Sequence, residues 1–404
     1  MLNGEEKCNR IQANTLIRLF ACTYMVSYLT RINYGTIITA MVEQTGFTKD
    51  SLSMALTGSF ITYGIGQIVS GILGDKFNPK GLVSLGLLVT VIMNILLPFC
   101  GDPWLMCAVW CVNGFAQSFM WPPMVRLMSA KLSPSEYQKA TVRVSWGSSV
   151  GTIVLYLCSP MILSVLSWKW VFWLCAACGI VMLLVWLKAA PDTAMTQVDK
   201  QHVSRRKSVK GVFSPLMLAV MAAIALQGML RDGVTTWMPS YIAETYHLDS
   251  GVSILSGVLL PLFSIFSFQV ASHMYGGKLK SPVTCATIIF GVGAVAAFAL
   301  FLLDGTGAIS SVLLSALLTG CMHGVNLMLI CMIPPYFQKE GNVSAVSGIL
   351  NSCTYIGSAI STYGIALFSE MIGWRYTVFL WFVIAATGAI LCLLCIPHWS
   401  KKYG

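Results

Sequence analysis

Charge is what this sequence has least of. Only 10% of its 404 residues are Asp, Glu, Lys or Arg, while 56% are hydrophobic and the mean hydropathy is +0.75. Soluble domains carry about a quarter charged residues, so the composition excludes an ordinary soluble fold and predicts a protein of the lipid bilayer. Histidine is rare as well. Five histidines give no cluster with metal-ligand spacing, so neither a metal nor a cofactor is expected. The chain lacks a Gly-Lys-Ser/Thr phosphate loop that could drive an ATP pump, and it shows no nucleophile, base and oxyanion set, so an enzyme is not expected. No small-residue cleavage site follows MLNGEEKCNR, and a removed signal peptide is therefore not expected. Zinc-type spacing is missing too: the 14 cysteines fall almost entirely in apolar runs and read as small free fillers.

Apolar runs fill the space that charge leaves. Twelve stretches are each long enough, at about 1.5 Å per residue, to cross a hydrocarbon core of about 30 Å. They cover approximately 15–42, 51–74, 82–99, 104–129, 139–165, 169–188, 215–244, 251–273, 282–303, 309–337, 342–370 and 374–396. The net charge of +10 would suggest nucleic acid in a soluble protein, but its distribution points elsewhere. With both termini assigned to the cytoplasm, 20 of the 25 Lys and Arg lie on that side, Lys49, Lys169 and Arg375 lie outside, and two arginines lie within the membrane. This is the positive-inside pattern, and no nucleic-acid partner is expected.

One sizeable hydrophilic connection, Lys188 to Pro215, separates six spans from six. The sequence therefore reads as a bundle over 1–188, a basic linker over 189–214 and a second bundle over 215–404. The linker's Arg205-Arg206-Lys207 run suits a solvated loop near anionic headgroups, or a lipid or partner site. The halves also echo each other. Gly151 precedes Trp168-Lys169 as Gly357 precedes Trp374-Arg375, and Trp121-Pro122-Pro123 matches Ile333-Pro334-Pro335. The expected fold class is an all-α membrane protein with twelve transmembrane helices in two six-helix repeats, which resembles the major facilitator plan.

Two arginines break the apolar pattern. Arg31 lies about 16 residues into the first span and Arg231 about 16 into the seventh, so both fall near mid-depth. There an arginine costs about 2.5–3.5 kcal/mol by insertion measurements. Two readings account for them: a pair of planar donor forks for a phosphate or carboxylate, or structural ion pairs with acids on other helices. The span around Arg31 holds no acid. Asp232 adjoins Arg231, but neighbours on a helix point about 100° apart, so the two are not expected to meet well side by side.

YLTRIN, GILGDKFNPK (Gly71 to Lys80), NGFAQSFMWPPMVR (Asn113 to Arg126) and LRDGVTTWMPSYI (Leu230 to Ile242) resemble motifs of the organophosphate:phosphate antiporter family, whose members include glycerol-3-phosphate and hexose-6-phosphate transporters. The resemblance covers nearly the whole chain. It implies that Arg31 and Arg231 bind the substrate anion from the two repeats across a central cavity, and that Tyr24, Tyr28, Tyr63, Trp121 and Tyr355 line the pocket. Taken alone, each aromatic reads as packing, and only the resemblance makes it a pocket residue. The resemblance also implies that the loop carrying Gly71, Asp75, Lys76 and Lys80 gates the cytoplasmic side, where the plain reading is a solvated turn. The chain departs from the family at three points: Gln67 stands where glycerol-phosphate members have a lysine, Ser148 where they have a histidine, and Gly228 where they have a tyrosine. Asp232 and His323 are the remaining ionisable groups placed in the membrane; each could couple protons or serve only as a structural partner.

The function these features imply is secondary active transport, by alternating access, of a small organic anion of the organophosphate type in exchange for inorganic phosphate. A proton-coupled carboxylate symporter and a transport-fold sugar-phosphate sensor are the alternatives. The expected setting is a bacterial cytoplasmic membrane, with a monomer as the working unit.

Overall fold

The computed structural model describes residues 4–192, 212–247, 259–277, 279–303, 305 and 307–403. The Arg205-Arg206-Lys207 run and the first part of the eighth predicted span lie outside the described residues. The described chain is helical, with no strand among those residues. Its helices are α1 (Gly4–Thr45), α2 (Lys49–Lys76), α3 (Pro79–Leu96), α4 (Pro103–Gln117), α5 (Trp121–Lys131), α6 (Pro134–Leu163) and α7 (Lys169–Ala189). They continue with α8 (Pro215–Tyr246), α9 (Leu259–Gly276), α10 (Pro282–Leu302), α11 (Ala308–Asn326), α12 (Val343–Ile372) and α13 (Trp374–Tyr403).

Over its described residues, each of the twelve predicted spans coincides with helix. Among the described residues nine helical stretches are long and apolar enough to cross a membrane. The other three spans are α1, which carries Arg18 and Arg31, the fourth span, which is broken in two, and α9, whose described part is 18 residues long.

The sequence marks many helix starts by one device. Pro79, Pro103, Pro134, Pro215 and Pro282 each occupy a first helical position, behind Asn78, Asp102, Ser133, Ser214 and Ser281. Proline loses no hydrogen bond there, because that N–H has no helical partner in any case, and the short polar residue before it caps the turn. Asp102, for example, accepts from the N–H groups of Trp104 and Leu105 at 2.9 and 3.1 Å.

Proline also explains the broken fourth span. Pro122 has no N–H for the Ser118 carbonyl, which instead accepts the Ser70 hydroxyl at 2.8 Å. Residues 118–120 tighten into i→i−3 turns between α4 and α5. The matching Pro334-Pro335 of the second half follows a buried π-helical turn, Leu327–Cys331, and leads into a 3₁₀ segment, Pro334–Glu340.

The chain forms two units: Met1–Arg206 with Phe337–Ile349, and Lys207–Tyr336 with Leu350–Gly404. In the first, α1 packs on α6, α2 on α4 and α3 on α7. Its core centres on Tyr34, Trp110 and Phe172, with ring centroids 5.2 Å apart for Tyr34 and Trp110 and 5.7 Å for Trp110 and Phe172. In the second, α10 and α8 pack on α13, and α11 joins α8, α9 and α10. The repeat glycines have matching roles: a Cβ on Gly151 would strike the Met25 carbonyl of α1, and one on Gly357 the Ala225 carbonyl of α8. Small residues let helix backbones approach this closely.

Candidate functional site

In the first unit a buried amide network fixes the middle of α1. Asn33 donates to Asn94 at 2.8 Å, Asn94 and Asn113 donate to the Thr30 carbonyl at 3.0 and 3.2 Å, and Gln117 donates to the Thr30 hydroxyl at 2.9 Å. Thr30 and Asn33 flank Arg31 in sequence, so this network sets where the guanidinium emerges. Sequence reasoning missed it, although polar amides inside apolar spans are the signal that marks such networks.

The Arg31 guanidinium carbon lies 4.2 Å from the Tyr28 ring centroid and 4.7 Å from that of Tyr63. Tyr24 continues the row, 5.2 Å from Tyr28 and 5.3 Å from Trp121. Five predicted site residues from α1, α2 and α5 thus form one aromatic-lined cluster. Ring contacts use the face of the guanidinium, and its hydrogen-bond donors lie in its plane. Gln67, one turn after Tyr63, is fully buried, and neither end of its amide has a hydrogen-bond partner among the described residues. The Trp121 indole N–H is likewise buried without a partner. Ser148 is half-buried on α6, and its hydroxyl donates to the Ser145 carbonyl of its own helix at 2.7 Å.

In the second unit the expectation that Arg231 and Asp232 do not meet well side by side is overturned. Its Nε and Nη2 donate to the two carboxylate oxygens of Asp232 at 2.6 and 2.8 Å. The Cβ directions of neighbouring helical residues do diverge. The arginine side chain is long enough to bring its guanidinium to the neighbouring carboxylate in spite of that divergence. Ser358 on α12 donates to the same carboxylate. Gln227, one turn before Arg231, donates to the Met322 carbonyl at 3.0 Å and anchors α8 to α11.

Gly228 sits against the Thr354 backbone, where a larger side chain would collide, and this accounts for the missing tyrosine. His323 bonds through Nδ1 to the Thr319 carbonyl at 2.9 Å, so Nδ1 carries the hydrogen, and its ring meets Phe268 edge-on at 5.6 Å. It lies within electrostatic range of Arg231 and Asp232. Tyr355 is half-buried on α12, three residues before Ser358.

The predicted gating loop has a structural role in the first unit. Asp75 is buried and accepts the N–H groups of Ser344 and Ala345, at 2.9 and 2.8 Å, capping the first turn of α12. A carboxylate is favoured there by the orphan N–H groups and the helix dipole. Gly71 packs against the backbone of Ser344 and Ala345. Lys80 lies 3.7 Å from Asp192, and Lys76 is exposed. Arg126, which closes a motif quoted above but was not singled out, donates to the Gly74 and Phe77 carbonyls at 2.6 and 3.2 Å and so caps the end of α2. Asp75, Arg126, Ser129 and Gln338 help to line a cavity of about 100 Å³.

The Major Facilitator Superfamily profile matches residues 20–362. The chain belongs to the Major Facilitator Superfamily. This superfamily member is an integral, multi-pass membrane protein and a transporter, not an enzyme. It is 20% identical to a probable hexose phosphate transport protein of Chlamydia pneumoniae, over 93% of this chain and 89% of the relative. It is 24% identical to the glycerol-3-phosphate transporter of Bacillus subtilis, over 95% and 91%. It is also 23% identical to the membrane sensor protein UhpC of Salmonella typhimurium, over 94% and 90%. These names accord with the narrower family resemblance read from the motifs. Among solved structures, the proton:xylose symporter XylE superposes with a TM-score of 0.74 at 11% identity, covering 98% of this chain and 96% of that one.

Proposed function

We propose that the chain is a secondary active transporter that moves an organophosphate, of the sugar-phosphate or glycerol-phosphate type, in exchange for inorganic phosphate by alternating access. The observation that carries this reading is Arg31, mid-helix in an apolar span, with its guanidinium carbon 4.2 and 4.7 Å from the Tyr28 and Tyr63 ring centroids and, one turn beyond Tyr63, the Gln67 amide without a partner among the described residues. A planar fork of donors suits a phosphate or carboxylate, and a neutral amide suits a hydroxyl beside it. The relatives' names favour the phosphate ester. Arg231 is the second anion-binding group in this reading, with Tyr355 a further contact. Binding energy that differs between states supplies the bias that alternating access needs. The lysine and arginine asymmetry and the bacterial relatives support a cytoplasmic membrane with both termini inside, and we take the working unit to be a monomer.

One observation favours a second reading, proton-coupled uptake of an organic carboxylate: the Asp232 carboxylate already sits on Arg231. Purified protein in liposomes separates the two. Uptake of labelled glycerol phosphate that requires phosphate inside supports exchange. Uptake of a carboxylate driven by a pH gradient alone, indifferent to internal phosphate, would replace the first reading with the second. Binding without flux would make the chain a sensor, as one relative is named.

A further inference from the structure

We propose that Asp232 is a built-in anion that occupies Arg231 while no cargo is bound, and that a proton arriving on Asp232 releases Arg231 to the carried anion. The proposal rests on the reading that Arg231 contacts that anion. Its geometric basis is the two-point pair between Nε and Oδ1, at 2.6 Å, and between Nη2 and Oδ2, at 2.8 Å, which presents to the arginine the same pair of acceptors that a phosphate or carboxylate cargo would. The two residues are adjacent on α8, so the exchange requires side-chain rotation and no movement of backbone. The Asp232 side chain is 33% exposed and the Arg231 side chain 15%, so the carboxylate is the more accessible member of the pair.

Charge balance favours the exchange. With Arg31 the same in both states, the empty state pairs Arg231 with a carboxylate, and that pair is neutral. The loaded state pairs Arg231 with one negative charge of the cargo beside a protonated Asp232, and is neutral again. A low-dielectric span disfavours any route through a net charge. Ser358 suits both states, because its hydroxyl bonds the Asp232 carboxylate and also lies 2.9 Å from the Thr354 carbonyl. Once Asp232 is protonated, the Ser358 hydrogen turns to Thr354 and its oxygen accepts the new O–H.

The groups around Asp232 define the controls. Arg231 shares its helix. From α11 the facing titratable group is His323, held through Nδ1 on the Thr319 carbonyl. From α12 the contact is the neutral Ser358, with Tyr355 three residues earlier. α13, which also packs on α8, carries its charges, Arg375, His398, Lys401 and Lys402, towards its two ends.

The test measures inorganic phosphate binding to the purified full chain from pH 5 to pH 8, and compares variant with wild type at each pH so that phosphate's own titration cancels. Asp232→Asn should bind roughly ten- to hundredfold more tightly than wild type at pH 8, the span of one charge-assisted pair, with the advantage shrinking towards pH 5. Ser358→Ala should shift binding in the same direction by about threefold, and it answers the question if the asparagine variant does not fold. His323→Gln should keep the wild-type pH dependence. An Asp232→Asn chain no tighter than wild type at pH 8, or tighter by the same factor at every pH, overturns the proposal, as does a pH dependence that vanishes with His323. Those results leave the functional reading intact if Arg231→Ala loses binding. Phosphate binding that is undiminished in Arg231→Ala, or absent from wild type, overturns the reading and the proposal together.

Discussion

Arg31 and Arg231 sit on α1 and α8, the first helices of the two repeats, yet their surroundings differ. Arg31 lies between two tyrosine rings, and Arg231 is gripped by the carboxylate next to it. Rings stabilise a buried cation without neutralising it, whereas a carboxylate neutralises it and competes with any other anion. On the proposal above, Arg231 is withheld until its carboxylate is displaced or protonated, whereas the tyrosine rings beside Arg31 are not competing anions. The duplicated architecture persists in the backbone, in Gly151 and Gly357 and in the paired prolines, while the side chains around the cations have diverged.

The largest expected effect breaks this comparison at its root. Arg31→Ala and Arg231→Ala should each lower transport by about a hundredfold or more, the scale of losing a two-point charged contact. Their stabilities should differ. Arg231→Ala leaves a partly buried carboxylate without its cation, at a cost of about 1–2 kcal/mol after allowing for its partial exposure, so its melting temperature should fall below that of Arg31→Ala. Adding Asp232→Asn to Arg231→Ala should restore the stability but not the transport. If the two single variants melted alike and the double variant gained nothing, the claimed asymmetry would be wrong.

A smaller effect sharpens the ring half of the comparison. Tyr28→Leu and Tyr63→Leu should each weaken anion binding by about three- to twentyfold, the range of a partly desolvated cation–π contact of about 0.5–2 kcal/mol. Tyr28→Phe and Tyr63→Phe should stay within about threefold of wild type, because the observed contact with Arg31 is to the ring. Equal losses in the Leu and Phe variants would assign the effect to the hydroxyls instead.

How much of this was legible in the sequence varies with the kind of interaction. Span positions were legible because hydrophobic length is a local property. The Ser-Pro, Asp-Pro and Asn-Pro pairs that begin five helices are equally local but entered no expectation, so the fifth span was begun at 139 instead of Pro134. The break at 118–120 was hidden inside an apolar run, and Pro122-Pro123 served only as a repeat marker until the Ser70 hydroxyl was seen to take the stranded carbonyl. Asp75 was legible as a motif residue, but its partners on α12 lie about 270 positions away and no local pattern could name them. The Arg231–Asp232 pair was misread because Cβ directions do not limit a side chain long enough to reach its neighbour's carboxylate. The Thr30, Asn33, Asn94, Asn113 and Gln117 network was visible only as scattered polar letters, since its meaning depends on which helices pack together.

The smallest effect carries the same contrast, committed against uncommitted, into a single unit. The resemblance put both Gln67 and Ser148 in the pocket, in place of two basic or titratable residues. The Ser148 hydroxyl is bonded within its own helix, while both ends of the Gln67 amide are buried without a partner among the described residues. A buried amide left unsatisfied costs about 1–3 kcal/mol, and an apolar group of similar shape relieves that cost. Gln67→Leu should therefore hold or raise the melting temperature while weakening organophosphate binding by about three- to tenfold, an opposition of sign that a purely structural residue does not produce. Ser148→Ala should change binding by less than about twofold. If Gln67→Leu left binding untouched, the amide would be a packing compromise, and recognition on this side would rest on Arg31 and its rings.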